Sequence, residues 1–237
     1  MINMKILELK NISKIYKTEG DDVNALSDVS FDISSGEFVA IMGPSGSGKS
    51  TLLHIIGLLD RQTRGEVRFV EQSTNDFSDE KLAKIRNQKI GFVFQAFNLL
   101  PRESVYDNVK MPLIYSDISE KLWEQKILKA IDSVGLSHRI KIPTMKLSGG
   151  EKQRTAIARA LVCDPEIVFA DEPTGNLDSK SGTQVMEIFD RLNSEGKTVV
   201  LITHEHGTAS YARRVISMKD GNLVEDKMQQ SSKAAIK

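Results

Sequence analysis

The chain has 237 residues, 40% hydrophobic and 27% charged, a balance that suits one globular domain and is too apolar for a disordered chain. Its 32 lysines and arginines match 32 aspartates and glutamates. No bulk field therefore favours nucleic acid or anionic lipid, and any such contact needs a local patch. A single cysteine, Cys163, excludes an internal disulfide framework.

The opening segment, MINMKILELK, alternates polar and apolar residues like a strand and lacks the apolar core and cleavage site of a secretory signal. With VSFDIS and GEVRFVE it predicts an antiparallel edge layer that is wet on one face. FVAIM, IGFVF, IVFA and TVVLIT are instead almost unbroken apolar runs rich in β-branched residues. Such runs predict parallel strands covered on both faces. The longest apolar stretch, Leu52 to Leu59, is interrupted by His54 and Gly57. It is far short of the ~20 residues that cross a bilayer, so work at a membrane needs a partner to hold the chain there. Between Gln95 and Leu147 the strand signals stop, and Trp123, Ile127, Ile131 and Val134 recur at helical spacing, as do Ile157 and Leu161. RVISMK and NLVED, joined by Asp220-Gly221, read as a hairpin. From Lys227 the chain is polar and reads as a fraying tail. The expected organisation is one domain over 1–226, with a helical subdomain at 96–158 and a tail at 227–237.

GPSGSGKS, Gly43 to Ser50, matches the phosphate-loop pattern in its required context, after a buried strand and before a helical pattern. Across Gly43, Pro44, Ser45, Gly46, Ser47 and Gly48 the glycines let the backbone curl so that successive N–H groups of the loop converge on phosphate oxygens, and the helix beginning near Thr51 adds its positive end. Lys49 would bridge the β- and γ-phosphates, and the Ser50 hydroxyl would ligate Mg²⁺. IVFADE ends a buried strand in Asp171, placed to hold Mg²⁺, and Glu172, suited to take a proton from an attacking water. His54, His138 and His206 have no metal-ligand spacing and read as surface or packing residues. Trp123 reads as core.

LSGGE, Leu147 to Glu151, followed by KQRTAIARAL, resembles the signature of the ATP-binding-cassette (ABC) ATPases. Gln95 resembles the Q-loop glutamine, GNLD (Gly175 to Asp178) the D-loop, His204 the switch histidine and Tyr16 the aromatic that stacks on adenine. The likeness runs from about Leu7 to Glu225. It implies an α/β phosphate-loop NTPase of ABC type, with a mostly parallel core sheet, an antiparallel edge layer and an inserted helical subdomain. The cofactors implied are ATP and Mg²⁺, the latter held by Ser50, Gln95 and Asp171. Glu172, His204, Lys49 and Gln95 would carry catalysis. In this family two chains sandwich two nucleotides head to tail, so Ser148, Gly149 and Gly150 would close over ATP held by the other chain, and Asp178 would touch that partner.

The wording GEFVAIMGPSGSGKSTLLHIIGLLD, IGFVFQAFNLLP and FADEPTGNLDSKSG is most similar to the branch serving lipoprotein release, macrolide export and antimicrobial-peptide resistance. That implies a transmembrane permease subunit as partner, a homodimer on ATP, no nucleic acid and no direct membrane insertion. The implied location is cytoplasmic, on the inner face of the membrane. Phe97, Leu99, Leu100 and Pro101 follow Gln95, where the family docks its permease. A division-type regulator of cell-wall hydrolases, or a soluble ABC ATPase, are the alternatives. The segment from Gln95 to Leu147 holds no long heptad insertion, which disfavours the soluble kind. Three departures from the pattern stand out: GEKQR in place of GQQQR, Glu205 after the histidine, and VEQSTNDFS without a glycine turn.

Overall fold

A computed structural model describes residues 4–17 and 20–229. In chain order its strands are β1 (Lys5–Tyr16), β2 (Val23–Ser34), β3 (Phe38–Met42), β4 (Arg64–Phe69), β5 (Gln72–Ser73), β6 (Ile90–Phe94), β7 (Ile167–Asp171), β8 (Thr198–Thr203), β9 (Arg214–Lys219) and β10 (Asn222–Met228). Its α-helices are α1 (Lys49–Ile56), α2 (Asp79–Lys89), α3 (Val105–Ile114), α4 (Trp123–Ser133), α5 (Gly149–Leu161), α6 (Ser179–Ser194) and α7 (His206–Ala209).

The apolar runs form one six-stranded sheet in the order β10-β9-β3-β8-β7-β6, parallel throughout except for β10. The half-polar segments form a separate antiparallel sheet, β2-β1-β4-β5. Because successive strand residues face opposite ways, the central sheet feeds two cores. Phe38, Ala40, Val168, Ala170, Val199 and Leu201 pack against α3, α4, α5 and α6. Val39, Ile41, Ile167, Phe169, Val200 and Ile202 pack against α1 and the antiparallel sheet. Burial on both faces is why these strands read as continuous apolar runs.

The helical stretch forms as its spacing predicts. Ile127, Ile131, Val134 and Ile157 are buried, and the half-buried Trp123 packs on the core while its indole donates to the Ile118 carbonyl at 2.8 Å. The Asp220-Gly221 hairpin also forms, joining β9 to β10. The strand continues past the expected start of the tail. Lys227 and Met228 pair with Val215 and Arg214, and the Gln229 amide donates to the carbonyls of Ala209 and Ala212 at 2.9 and 3.0 Å. Backbone pairing with β9 holds Lys227 and Met228, whose side chains are exposed. Residues 230–237 of the tail lie outside the described residues.

The turn that lacks glycine joins β4 to β5, with Phe69 opposite Gln72. Val70 and Glu71 make it at φ 46° and 61°, in the left-handed region that costs a β-carbon-bearing residue energy. At the start of α5, the Ser148 hydroxyl accepts from the Glu151 amide at 3.3 Å and the Ser148 amide donates to Glu151 Oε2 at 2.9 Å. This is a reciprocal capping box. Arg139 Nε donates to the other oxygen of Glu151 at 2.8 Å. The Ser148 amide, followed by Arg139, holds the Glu151 carboxyl below its usual range although burial opposes it.

Two predictions follow from local geometry. Glu71→Gly relieves the left-handed strain and should raise unfolding free energy by about 1 kcal/mol in urea titration. A depressed carboxyl stabilises above its unfolded pKa and loses that contribution as pH falls through its folded value. Glu151→Gln keeps the cap but loses the charge, so it should cost about 0.5–1 kcal/mol at neutral pH. That difference from wild type should close in acid, below the folded pKa of Glu151; a gap that persists there would contradict the ion-pair account.

Candidate functional site

Strand register builds the site. Phe94 lies opposite Asp171, Asp171 opposite Ile202, and Met42 opposite Thr203. The next residues of each strand, Gln95, Glu172, His204 and Gly43, therefore leave the sheet at the same edge, the carboxyl ends of parallel strands where α/β proteins bind ligands. A cavity of about 630 Å³ opens there, lined by Pro44–Gly46, Gly48–Thr51, Gln95, Asp171, Glu172 and His204, with Val23, Asn24 and Ala25 of β2 on one side.

The loop between β3 and α1 curls as its glycines permit. Gly48 caps α1 at φ 94°, and a β-carbon there would come within 2.6 Å of the Ala25 carbonyl oxygen. Ser47 is buried beneath the loop, its amide donating to the Pro44 carbonyl at 3.2 Å. Lys49 Nζ donates to the carbonyls of Gly43 and Pro44 at 2.7 and 2.8 Å, so the loop's own carbonyls hold the ammonium. Burial lowers the Lys49 pKa, and Glu172 and Asp171 oppose that. Ser50 is exposed at the mouth.

Asp171 is pushed up, first by burial and then by the neighbouring Glu172 carboxylate. Two carboxylates crowded in a half-buried edge make a place where a cation relieves the repulsion. This donor set of hard oxygens, with the Ser50 hydroxyl and Gln95 on the same wall, fits Mg²⁺. Glu172 itself adopts φ 43°, its amide donating to the Ile202 carbonyl at 2.8 Å. That twist turns its carboxylate onto the end of β8, where Oε1 meets His204 Nδ1 at 2.6 Å and accepts the His204 amide at 3.1 Å. The Thr203 hydroxyl donates to Oε2 at 3.1 Å. The bond to Glu172 raises the His204 pKa, although the imidazole is largely exposed.

The segment after Glu172 is tied on every side. Gln153, buried in α5, donates to the Pro173 carbonyl at 2.9 Å, and Asn176 Nδ2 donates to the Gln95 carbonyl at 3.0 Å. Glu205 Oε2 accepts the hydroxyls of Thr174 and Thr208 at 3.1 and 2.9 Å, so the longer acid after His204 reaches back to the loop. Asp178 caps α6, accepting the Ser181 amide at 3.0 Å and the Ser181 hydroxyl at 2.7 Å. Gly150 lies against the same serine: a β-carbon there would fall 2.7 Å from Ser181 Oγ. The amino ends of α5 and α6 thus abut.

The structure brings Lys49, Ser50, Thr51, Gln95, Asp171, Glu172 and His204 to one cavity, and leaves others outside its lining. Ser148, Gly149 and Gly150 lie on the far side of the 173–178 loop, where the serine hydroxyl caps its own helix. Tyr16 ends β1, its hydroxyl donating to Asp60 at 2.9 Å. His54, His138 and His206 are exposed, and no group of three or more His, Cys, Asp or Glu side chains suited to a metal ion occurs among the described residues. The motifs alone give no role to Thr203, Asn176, Gln153 or Ser181, although Asn176 lies within GNLD, Gln153 within KQRTAIARAL, Thr203 beside His204 and Ser181 three residues after Asp178. The bonds of Asn176 to Gln95 and of Gln153 to Pro173 span the fold and leave no local pattern.

Comparison with known proteins gives the family. The family model described as ABC transporter matches residues 26–175. A macrolide export ATP-binding/permease protein MacB of Chlorobium phaeobacteroides is 51% identical over 221 residues, covering 93% of this chain but 34% of its own length. The chain thus spans about a third of such relatives. An uncharacterised ABC transporter ATP-binding protein of Bacillus subtilis, YvrO, is 48% identical over 93% of this chain and 96% of its own. Among solved structures, the ATP-binding cassette MJ0796, a dimer in a post-hydrolysis state bound to ADP and Pi, superposes with a TM-score of 0.86 at 44% identity, over 94% of this chain and 99% of that one. The nucleotide-loop geometry, the signature helix and these relatives lead to one statement: the chain belongs to the ABC transporter family and is an ATP-hydrolysing cassette of it.

Proposed function

We propose that this cassette binds MgATP at the edge of its central sheet, pairs with a second copy around two nucleotides, and drives a membrane permease of the macrolide-export or lipoprotein-release branch. The observation that carries the reading is the single cavity shared by Lys49, Ser50, Gln95, Asp171, Glu172 and His204. Lys49 exchanges its bonds to the Gly43 and Pro44 carbonyls for the β- and γ-phosphates, and the loop amides hold the remaining oxygens. Ser50, Gln95 and Asp171 would hold Mg²⁺, which supplies charge neutralisation at the transferring phosphoryl group.

Glu172 is the group placed to orient and deprotonate the attacking water. In this structure its carboxylate is shared between His204 and Thr203. A bound γ-phosphate gives His204 a competing anionic partner and frees an oxygen of Glu172 for water. Ser148, Gly149 and Gly150, at the amino end of α5 and outside the cavity, are suited to grip the phosphate of a second chain. Asp178 sits beside them at the amino end of α6 and would meet that chain too. The dimeric state of MJ0796 supports this arrangement.

For the permease contact, Arg159 of α5 bonds the Phe97 and Asn98 carbonyls at 2.9 and 2.5 Å, while Leu100 keeps 43% of its surface exposed. An apolar groove of about 710 Å³ runs beside Arg159, between Leu59, Phe92 and Tyr115. No helix among the described residues is long and apolar enough to cross a membrane. Docking through this surface would hold the cassette at the inner face of the membrane.

Lys49→Ala should weaken MgATP binding about 10–150-fold by calorimetry, the worth of charge-assisted bonds to phosphate; unchanged affinity would sink the cradle assignment. Glu172→Gln should retain ATP and accumulate an ATP-dependent dimer in size-exclusion chromatography. Monomer alone, at saturating ATP, would count against the paired-site reading.

A further inference from the structure

Tyr16 is the residue read above as the base platform, and its surroundings go further than that reading. Its hydroxyl donates to Asp60 Oδ2 at 2.9 Å, while Asp60 Oδ1 accepts Lys14 Nζ at 2.8 Å and the Arg61 amide at 2.7 Å. Lys14 Nζ donates also to the Arg61 carbonyl at 2.6 Å and stands 4.8 Å from the centre of the Tyr16 ring. The Lys14 side chain is only 12% exposed, so the ammonium is built into the fold instead of trailing in solvent.

These ties lead to one helix. The Leu59 and Asp60 amides donate to the His54 carbonyl, at the last turn of α1. Tyr16 belongs to the antiparallel sheet, whereas α1 is opened by the phosphate loop. The Asp60–Lys14 pair is therefore a strap between the ring and the helix that presents the phosphate cradle.

We infer that Asp60 and Lys14 are positioning residues for nucleotide base recognition: they lock the Tyr16 ring in place relative to the phosphate loop, with the Lys14 ammonium against one face so that a purine stacks on the other. Two physical consequences make this useful. A ring already fixed loses no rotamer freedom when the base arrives. A cation against one aromatic face draws electron density from the ring, which favours stacking of an electron-rich base on the opposite face.

The inference rests on Tyr16 being the base platform, and its test separates the two. The full chain carrying Asp60→Asn, Tyr16→Phe, both, or Tyr16→Ala is titrated by calorimetry with MgATP and with magnesium tripolyphosphate, which has the phosphates and no base. Asp60→Asn and Tyr16→Phe should each weaken MgATP about three- to tenfold, the range of an aromatic stacking term, and leave tripolyphosphate unchanged. The double variant should lose less than the two single losses combined, because Asp60→Asn and Tyr16→Phe weaken the two ends of one contact. If only Tyr16→Ala loses ATP affinity, the ring stacks without its strap and the inference falls while the platform stands. A parallel loss of tripolyphosphate would make the pair a support of the phosphate loop and overturn the inference. Unaltered ATP binding by Tyr16→Ala would remove the platform itself and the inference with it.

Discussion

The site depends above all on the parallel register of four neighbouring strands. Ile41, Ile202, Asp171 and Phe94 lie in one row across β3, β8, β7 and β6, so the chain leaves all four strands at the same level. A slip of one residue in any pairing would turn that strand's side chains to the other face and exchange its contributions to the two cores. Burial on both sides thus enforces the register, and the register brings lysine, carboxylates, glutamine and histidine from widely separated segments to one edge. The chemistry is precise because the hydrophobic cores beneath it tolerate no alternative.

The segment from Pro173 to Asp178 is the second organising element. It touches Gln95 through Asn176, α5 through Gln153, and the residue that caps α7, Glu205, through Thr174. It therefore lies between the cavity that one chain would fill with nucleotide and the paired amino ends of α5 and α6. A change at the γ-phosphate that released His204 from Glu172 would be felt at both. The Glu172 backbone, held at φ 43°, is where this loop departs from its strand. Strain of that kind persists only where surrounding bonds outweigh it, here those from Thr203, His204 and Ile202.

Motifs were legible where chemistry demands neighbouring residues. A phosphate cradle requires glycines, lysine and hydroxyl in one short run, and Gly43–Ser50 has them. The departures acquire a physical sense only in three dimensions. Glu151 in place of glutamine gains an ion pair with Arg139, Glu205 reaches two threonine hydroxyls, and the turn without glycine puts Val70 and Glu71 in left-handed backbone. The expected tail was misplaced by the same limitation: composition registers that Lys227 is polar but not that its backbone pairs with Val215.

By itself the amino-acid order determined the apolar runs, their assignment to a sheet covered on both faces and the helical stretch after Gln95, and it supplied the residues proposed to hold phosphate and metal. Those follow from periodicity and from local chemistry, which are properties of near neighbours along the chain. Only the tertiary structure decided which of these residues meet: that Glu172 engages His204 and Thr203, that Ser148 caps its own helix away from Lys49, and that Asp60 straps Tyr16 to the phosphate-loop helix. The Glu172 and Asp60 contacts join positions tens of residues apart, and packing selects them without leaving a local pattern to read.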